Sequence, residues 1–192
     1  MVNLIELVPA IFGLVQGVLI LMKRKENWIF YLLNISTLIV YSFSVHLYGD
    51  VIENFIYLVI GLFGTLVWTS ASFAKRFGFA NIRHSTWKEN VLFLALIVFL
   101  SAVIYIAVSY TNDPLPILDA VTTGMGFVAT YMMATKIIET WIVWFINDIL
   151  MVITYQSLPD PGYFLTVLNF IWIFMAIGSY ISWRGEIINE EV

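Results

Sequence analysis

All nine lysines and arginines of this 192-residue chain fall on one side of a division made by long apolar stretches. The stretches run roughly over residues 4–22, 28–45, 50–73, 90–110, 116–134, 140–157 and 163–183. Each is about the length that crosses bilayer hydrocarbon as a helix. The breaks read MKRKEN, HLYGD, AKRFGFANIRHSTWKEN, TNDPLP, TKIIE and SLPDPG, several with the Gly, Pro, Asn or Asp of tight connections. With seven spans, the first, third and fifth breaks share a side with the C-terminal tail. That side receives Lys23, Arg24, Lys25, Lys75, Arg76, Arg83, Lys88, Lys136 and Arg184, and the other side receives no basic residue. The positive-inside rule then sets the N-terminus outside and the C-terminus in the cytoplasm of a plasma-membrane protein. A miscounted helix would mix the charges, so the split also argues for seven.

Composition agrees. The chain is 61% hydrophobic and 11% charged, too few charges to cover a soluble domain. MVNLIE lacks a basic n-region and no small-residue cleavage site follows, so the first stretch is expected to remain as a spanning helix. The absence of cysteine excludes disulfides, thiolate metal sites and cysteine nucleophiles. No linker, charge block or low-complexity run divides the chain, which reads as one membrane domain over 1–192. Expected, then, is an all-α integral membrane protein embedded in the lipid bilayer.

An internal repeat organises the spans. Lys23, Glu26, Trp28 and Asn34 match Lys136, Glu139, Trp141 and Asn147 at a constant offset of 113. The same offset pairs Glu6 with Asp119 and Gly13 with Gly126. An offset of 115 pairs Tyr48, Asn54 and Trp68 with Tyr163, Asn169 and Trp183. Repeat one spans 4–73, repeat two 116–183, and the helix over 90–110 connects them. An odd connector leaves both three-helix units in the same orientation, a parallel 3+1+3 repeat of the kind some secondary transporters use, with substrate near the midplane between units.

The sixth span carries the clearest chemistry. At 3.6 residues per turn, Trp141, Trp144 and Asp148 fall on one face, with Asn147 beside it. Asp148 lies roughly 12 Å from the span's end at 1.5 Å per residue. A carboxylate near the bilayer centre costs about 2.5–3.5 kcal/mol on insertion scales, so it calls for a cavity or a partner. The plainer alternative is a structural aspartate bonded to a neighbouring helix. Trp28, Trp68, Trp141 and Trp183 all sit towards the basic ends of their spans, where an aromatic belt would put them; for Trp68 and Trp183 belt or packing is the plainer reading. Trp144 is deeper, and an indole beside a carboxylate suits a flat, particularly a cationic, aromatic ligand. Gln16, Asn34, Asn54 and Asn169 are in-membrane amides, suited either to interhelical hydrogen bonds or to a polar ligand such as a sugar. Thr122, Thr123 and Tyr131 on the fifth span join this set, with packing as their alternative. His46 and His84 form no metal-ligand spacing, and no nucleotide-loop, nucleophile-elbow or zinc-hydrolase motif occurs, so neither cofactor, metal nor catalysis is expected. The basic third break is explained by topology rather than by nucleic-acid binding.

WIVWFIND on the sixth span, the Glu6, Gly13 and Asn34 pattern, LDAVTTGMGFVATYMMATK and the repeat resemble the PnuC-type nicotinamide riboside transporters. The likeness covers nearly the whole chain, most clearly residues 4–68 and 117–183. It implies seven spans in the three-one-three layout and facilitated uptake of a vitamin or nucleoside, trapped inside by a cytoplasmic kinase. It also implies that Trp141, Trp144 and Asp148 line the site, as the family's Trp-x-x-Trp-x-x-x-Asn/Asp pattern does. Asn54 stands where the family usually has glutamine. Gly61 and Gly178 stand where many members have asparagine, and Thr65 and Leu66 replace part of an aromatic run of which Gly64 and Trp68 survive. The implied pocket is therefore reshaped, and the family's thiamine, riboflavin and deoxynucleoside branches stay open beside nicotinamide riboside. Proton coupling through Asp148 and a receptor that moves nothing are the alternatives to a facilitator. Oligomeric state is open, a homo-oligomer included.

Overall fold

The computed structural model describes residues 4–44, 46, 48–158 and 163–190. Its helices are α1 (Leu4–Leu21), α2 (Asn27–Ser44), α3 (Tyr48–Thr69), α4 (Ala71–Arg76), α5 (Trp87–Val108), α6 (Pro116–Ala134), α7 (Thr140–Ser157) and α8 (Tyr163–Glu190). Four of them, α3, α5, α6 and α8, are long and apolar enough to cross a membrane by length and composition. Residues 159–162 of the SLPDPG break lie outside the described residues, as do the side chains of Glu6 and Tyr48.

Three boundaries differ from the sequence expectation by three residues or more. The third stretch stops at Thr69 instead of 73 because Ser70 turns extended (φ −107°, ψ 98°) and its hydroxyl accepts from the Phe73 N–H, which starts the short α4. The fourth begins at Trp87 instead of 90. Thr86 and Glu89 form a capping box there, so the charged WKEN run is a helical first turn. The last helix continues past 183 to Glu190.

Helices α1, α2 and α3 pack in order, as do α6, α7 and α8, and the two groups meet where α3 lies on α6 and α1 lies on α8. Among the described elements α5 packs only on α6. Helix α6 is consequently the most enclosed, with 72% of its span buried. Its glycines permit this. A Cβ on Gly124 would come within 2.5 Å of the Ser101 hydroxyl on α5, and one on Gly126 would overlap the Tyr57 hydroxyl on α3. Small residues let helix backbones approach closely where no hydrophobic drive between helices exists.

Trp28, Trp68, Trp141 and Trp183 pack inward. Trp28 and Trp183 are fully buried and Trp141 is 6% exposed. Ring centroids run Trp28–Trp68 6.4 Å, Trp68–Trp183 5.9 Å and Trp183–Trp141 5.2 Å, a continuous cluster across the two groups. Trp68 Nε1 donates to the Ala134 carbonyl of α6 at 3.2 Å, and Trp183 Nε1 donates to the Ile20 carbonyl of α1 at 3.3 Å. Belt tryptophans face lipid headgroups; these face one another, so packing, not a belt, explains their position.

Between α4 and α5, the loop is tied to the α6–α7 connection. Arg83 bridges Glu89 at 2.6 Å, and that hydrogen bond raises the guanidinium further above its ordinary pKa. Glu139 binds His84 Nδ1 and the Ser85 N–H, both at 2.8 Å. His84 is thereby an anchor, and no group of residues that could hold a metal occurs among the described residues.

Candidate functional site

The two three-helix groups enclose a cavity of about 450 Å³, to which α4 and α5 contribute nothing. That size suits a small molecule. From α7, Trp141, Trp144, Asp148, Met151 and Tyr155 line it in helical register, the face expected from the sequence. Ten of the eleven residues singled out as candidate ligand contacts line this space: Gln16, Asn34, Asn54, Thr122, Thr123, Trp141, Trp144, Asn147, Asp148 and Asn169. Tyr131 does not. It is 40% exposed and stacks on Phe63 with centroids 5.9 Å apart and planes 7° from parallel. Its neighbour Thr130 lines the cavity instead, and one residue along a helix turns the side chain by about 100°.

The polar wall is under-satisfied. Asp148 is 6% exposed, and no hydrogen bond or ion pair reaches its carboxyl from the described residues. Asn147, equally buried, leaves its Oδ1 without a partner. Asn54 Nδ2 donates to the Asp50 carbonyl and Asn169 Nδ2 to the Leu165 carbonyl, each at 2.8 Å, so both amides are fixed by their own helices with their oxygens outside those bonds. A buried polar group without a partner costs about 1–3 kcal/mol. A ligand that donates to Asp148 supplies the partner its carboxyl lacks among the described residues.

Several lining residues lie outside the candidate set that the sequence suggests. Tyr31, Tyr57, Tyr155 and Trp172 add aromatic walls, and Asp50, Glu53 and Asp119 add carboxylates at the end of the cavity nearest the starts of α3 and α6. Glu53 faces the Thr123 hydroxyl and neighbours Asp50 and Asp119. The criterion that exposed Asp148, an acid inside an apolar run, also applies to Glu53. It passes unnoticed because a charge near the start of a span resembles a loop charge. The lining thus holds four carboxylates and, among the described residues, no lysine, arginine or histidine.

Gly61 acquires a reason here. A Cβ at that position would lie 2.6 Å from the Tyr31 ring, so the side chain that Gly61 lacks is replaced by a Tyr31 ring lining the cavity. Gly178 and Thr65 do not reach the cavity; the Thr65 hydroxyl donates back to the Gly61 carbonyl at 2.8 Å.

The sequence matches the family described as nicotinamide mononucleotide transporter over residues 3–185. The chain belongs to this family. It is 21% identical over 184 residues to the nicotinamide riboside transporter PnuC of Neisseria mucosa, covering 92% of this chain and 70% of that protein. It is 27% identical over 149 residues to the riboflavin/roseoflavin transporter RibM of Streptomyces davaonensis, covering 75% of this chain and 68% of that one. The fold matches the crystal structure of the vitamin B3 transporter PnuC with a TM-score of 0.74, at 20% identity, over 95% of this chain and 81% of that chain. The chain is an all-α, multi-pass membrane protein of a transporter family, as the resemblance implied.

Proposed function

We propose that this chain imports a cationic, nucleoside-like small molecule across the plasma membrane, with nicotinamide riboside the first choice of substrate. The observation that carries this reading is the lining of aromatic rings with four carboxylates and, among the described residues, no basic group. A pyridinium ring finds cation–π partners and a counter-charge there. The phosphate of a mononucleotide finds no counter-charge there among the described residues, although the family description names one. Riboflavin, the cargo named for one relative, is uncharged and offers Asp148 hydrogen-bond donors but no counter-charge. Thiamine, also a cationic ring, is the second reading, favoured by the same charge balance.

In this account the ring stacks on Trp144 or Trp141, Asp148 supplies the counter-charge, and Asn34, Asn54, Asn147 and Asn169 bond the sugar and the ring's edge. Seven helices span the bilayer with the N-terminus outside, as one membrane domain of two parallel repeats that alternate access about the cavity. Support for the repeat lies in details that recur at its offsets. Lys23 and Lys136 both hold left-handed backbone, φ 58° and 60°. Asn54 and Asn169 make the same back-bond, and Trp68 and Trp183 each donate across to the other group. The α3–α6 contact also has its repeat counterpart in α8–α1. Facilitated diffusion, with phosphorylation by a cytoplasmic kinase retaining the product, fits a lining that discriminates against phosphate.

A thermal-shift panel on purified protein tests the substrate class, since a ligand that binds the folded state raises its melting temperature. Nicotinamide riboside or thiamine is expected to raise it by several degrees at saturation, and nicotinamide mononucleotide is expected to leave it unchanged. A shift with riboflavin or the mononucleotide and none with either cation rejects the reading.

A further inference from the structure

A second cavity, of about 370 Å³, lies at the basic end of the bundle, on the far side of the tryptophan cluster from Asp148. Its charged lining is Lys23, Arg24, Lys25 and Lys136 against Glu26 and Glu186. Charge topology explains why basic residues occupy this end, but not why they share a cavity or why two of them sit on disfavoured backbone.

Lys23 and Lys136 close the C-terminal ends of α1 and α6 in the same way. The Lys23 N–H donates to the Ile20 carbonyl at 2.9 Å and the Arg24 N–H to Leu19 at 2.8 Å. The Lys136 N–H donates to Met133 at 3.2 Å and the Ile137 N–H to Met132 at 2.9 Å. This is the Schellman pattern, whose left-handed residue is ordinarily glycine because a Cβ is strained there. In both connections the residue that takes this conformation carries an ammonium group. Lys23 currently reaches Glu186 at 2.9 Å, and Lys136 reaches the Ala80 carbonyl at 2.7 Å.

We propose that this cavity is an anion site for a phosphate-bearing ligand that bridges the α1–α2 and α6–α7 connections. Its charge is opposite to that of the carboxylate cavity, so it takes a different ligand from the transported one, and it does not depend on which substrate is carried. An anion seated there links the connections of the two helix groups beside the tryptophan cluster.

Pyrophosphate is the probe, titrated calorimetrically into the full-length protein in nanodiscs of neutral phosphatidylcholine. Saturable binding is expected. Lys23→Gly, which suits the backbone while removing the ammonium, is expected to weaken it at least fivefold without lowering the melting temperature. Glu186→Gln, which frees Lys23, is expected to tighten it at least twofold. Repeating the titration in nanodiscs containing phosphatidylglycerol identifies the source: lost binding assigns the site to an anionic headgroup, and retained binding to a soluble phosphate. Absence of saturable binding in neutral lipid, or equal binding by wild type and both variants, overturns the site.

Discussion

Asp148→Asn is expected to weaken nicotinamide riboside binding by about 10–100-fold while making the empty protein more stable. The two effects come from one group. In the loaded cavity the carboxylate faces a cationic ring in a poorly solvated space, where charge-assisted contacts are worth about 1.5–3 kcal/mol. In the empty cavity the same carboxylate, 6% exposed and without a partner among the described residues, is a liability. The amide keeps the shape and removes the charge. Relief of even about 1 kcal/mol corresponds to a rise of roughly 2–4 °C for a chain of this size. Titration calorimetry and thermal unfolding of the two proteins measure both effects. Unchanged affinity would show that Asp148 does not face the substrate, whatever the stability does.

Gly64→Ala is expected to have the largest effect on the fold of any single methyl group added to α3. A Cβ at Gly64 would land in the Trp28 ring, within 2.6 Å of three of its atoms. Trp28 has no room to retreat: it is fully buried, with the Tyr31 ring edge-on at 5.3 Å and the Trp68 ring at 6.4 Å. Overpacking of this kind costs about 1–3 kcal/mol, and here it also disturbs the aromatic cluster joining the two helix groups. A drop of several degrees in melting temperature is expected. Gly49→Ala and Gly185→Ala are the controls, because a Cβ at either meets nothing within 4 Å. Equal melting temperatures for the Gly64 and Gly185 variants would contradict this packing.

How much of this was legible depended on whether the signal was local. Apolar runs with charged breaks disclosed the long helices, and one face of α7 disclosed Trp141, Trp144 and Asp148 because both are properties of a single helix. Tyr131 was misplaced because α6 is buried on most sides and has no distinct polar stripe to orient it. Tyr57 and Trp172 stand 115 residues apart, the offset that pairs Asn54 with Asn169, so the repeat held a clue to them that polar matching overlooked. The meeting of Asp50 and Glu53 with Asp119 depends on α3 packing against α6, a tertiary fact with no trace in either segment. The inward turn of Trp28 and Trp183 likewise depends on cross-group contacts, since periodicity alone does not separate a buried ring from one at the lipid interface.

Movement of a cation-bearing cargo through the carboxylate-lined cavity is the central requirement of the proposed function. Uptake of labelled nicotinamide riboside into sealed proteoliposomes, run beside its mononucleotide, measures this directly. The expected result is that the riboside fills the vesicles to the outside concentration, indifferent to an imposed pH gradient, and that the mononucleotide stays out. Binding of the riboside without filling, or preferential entry of the mononucleotide, would contradict it.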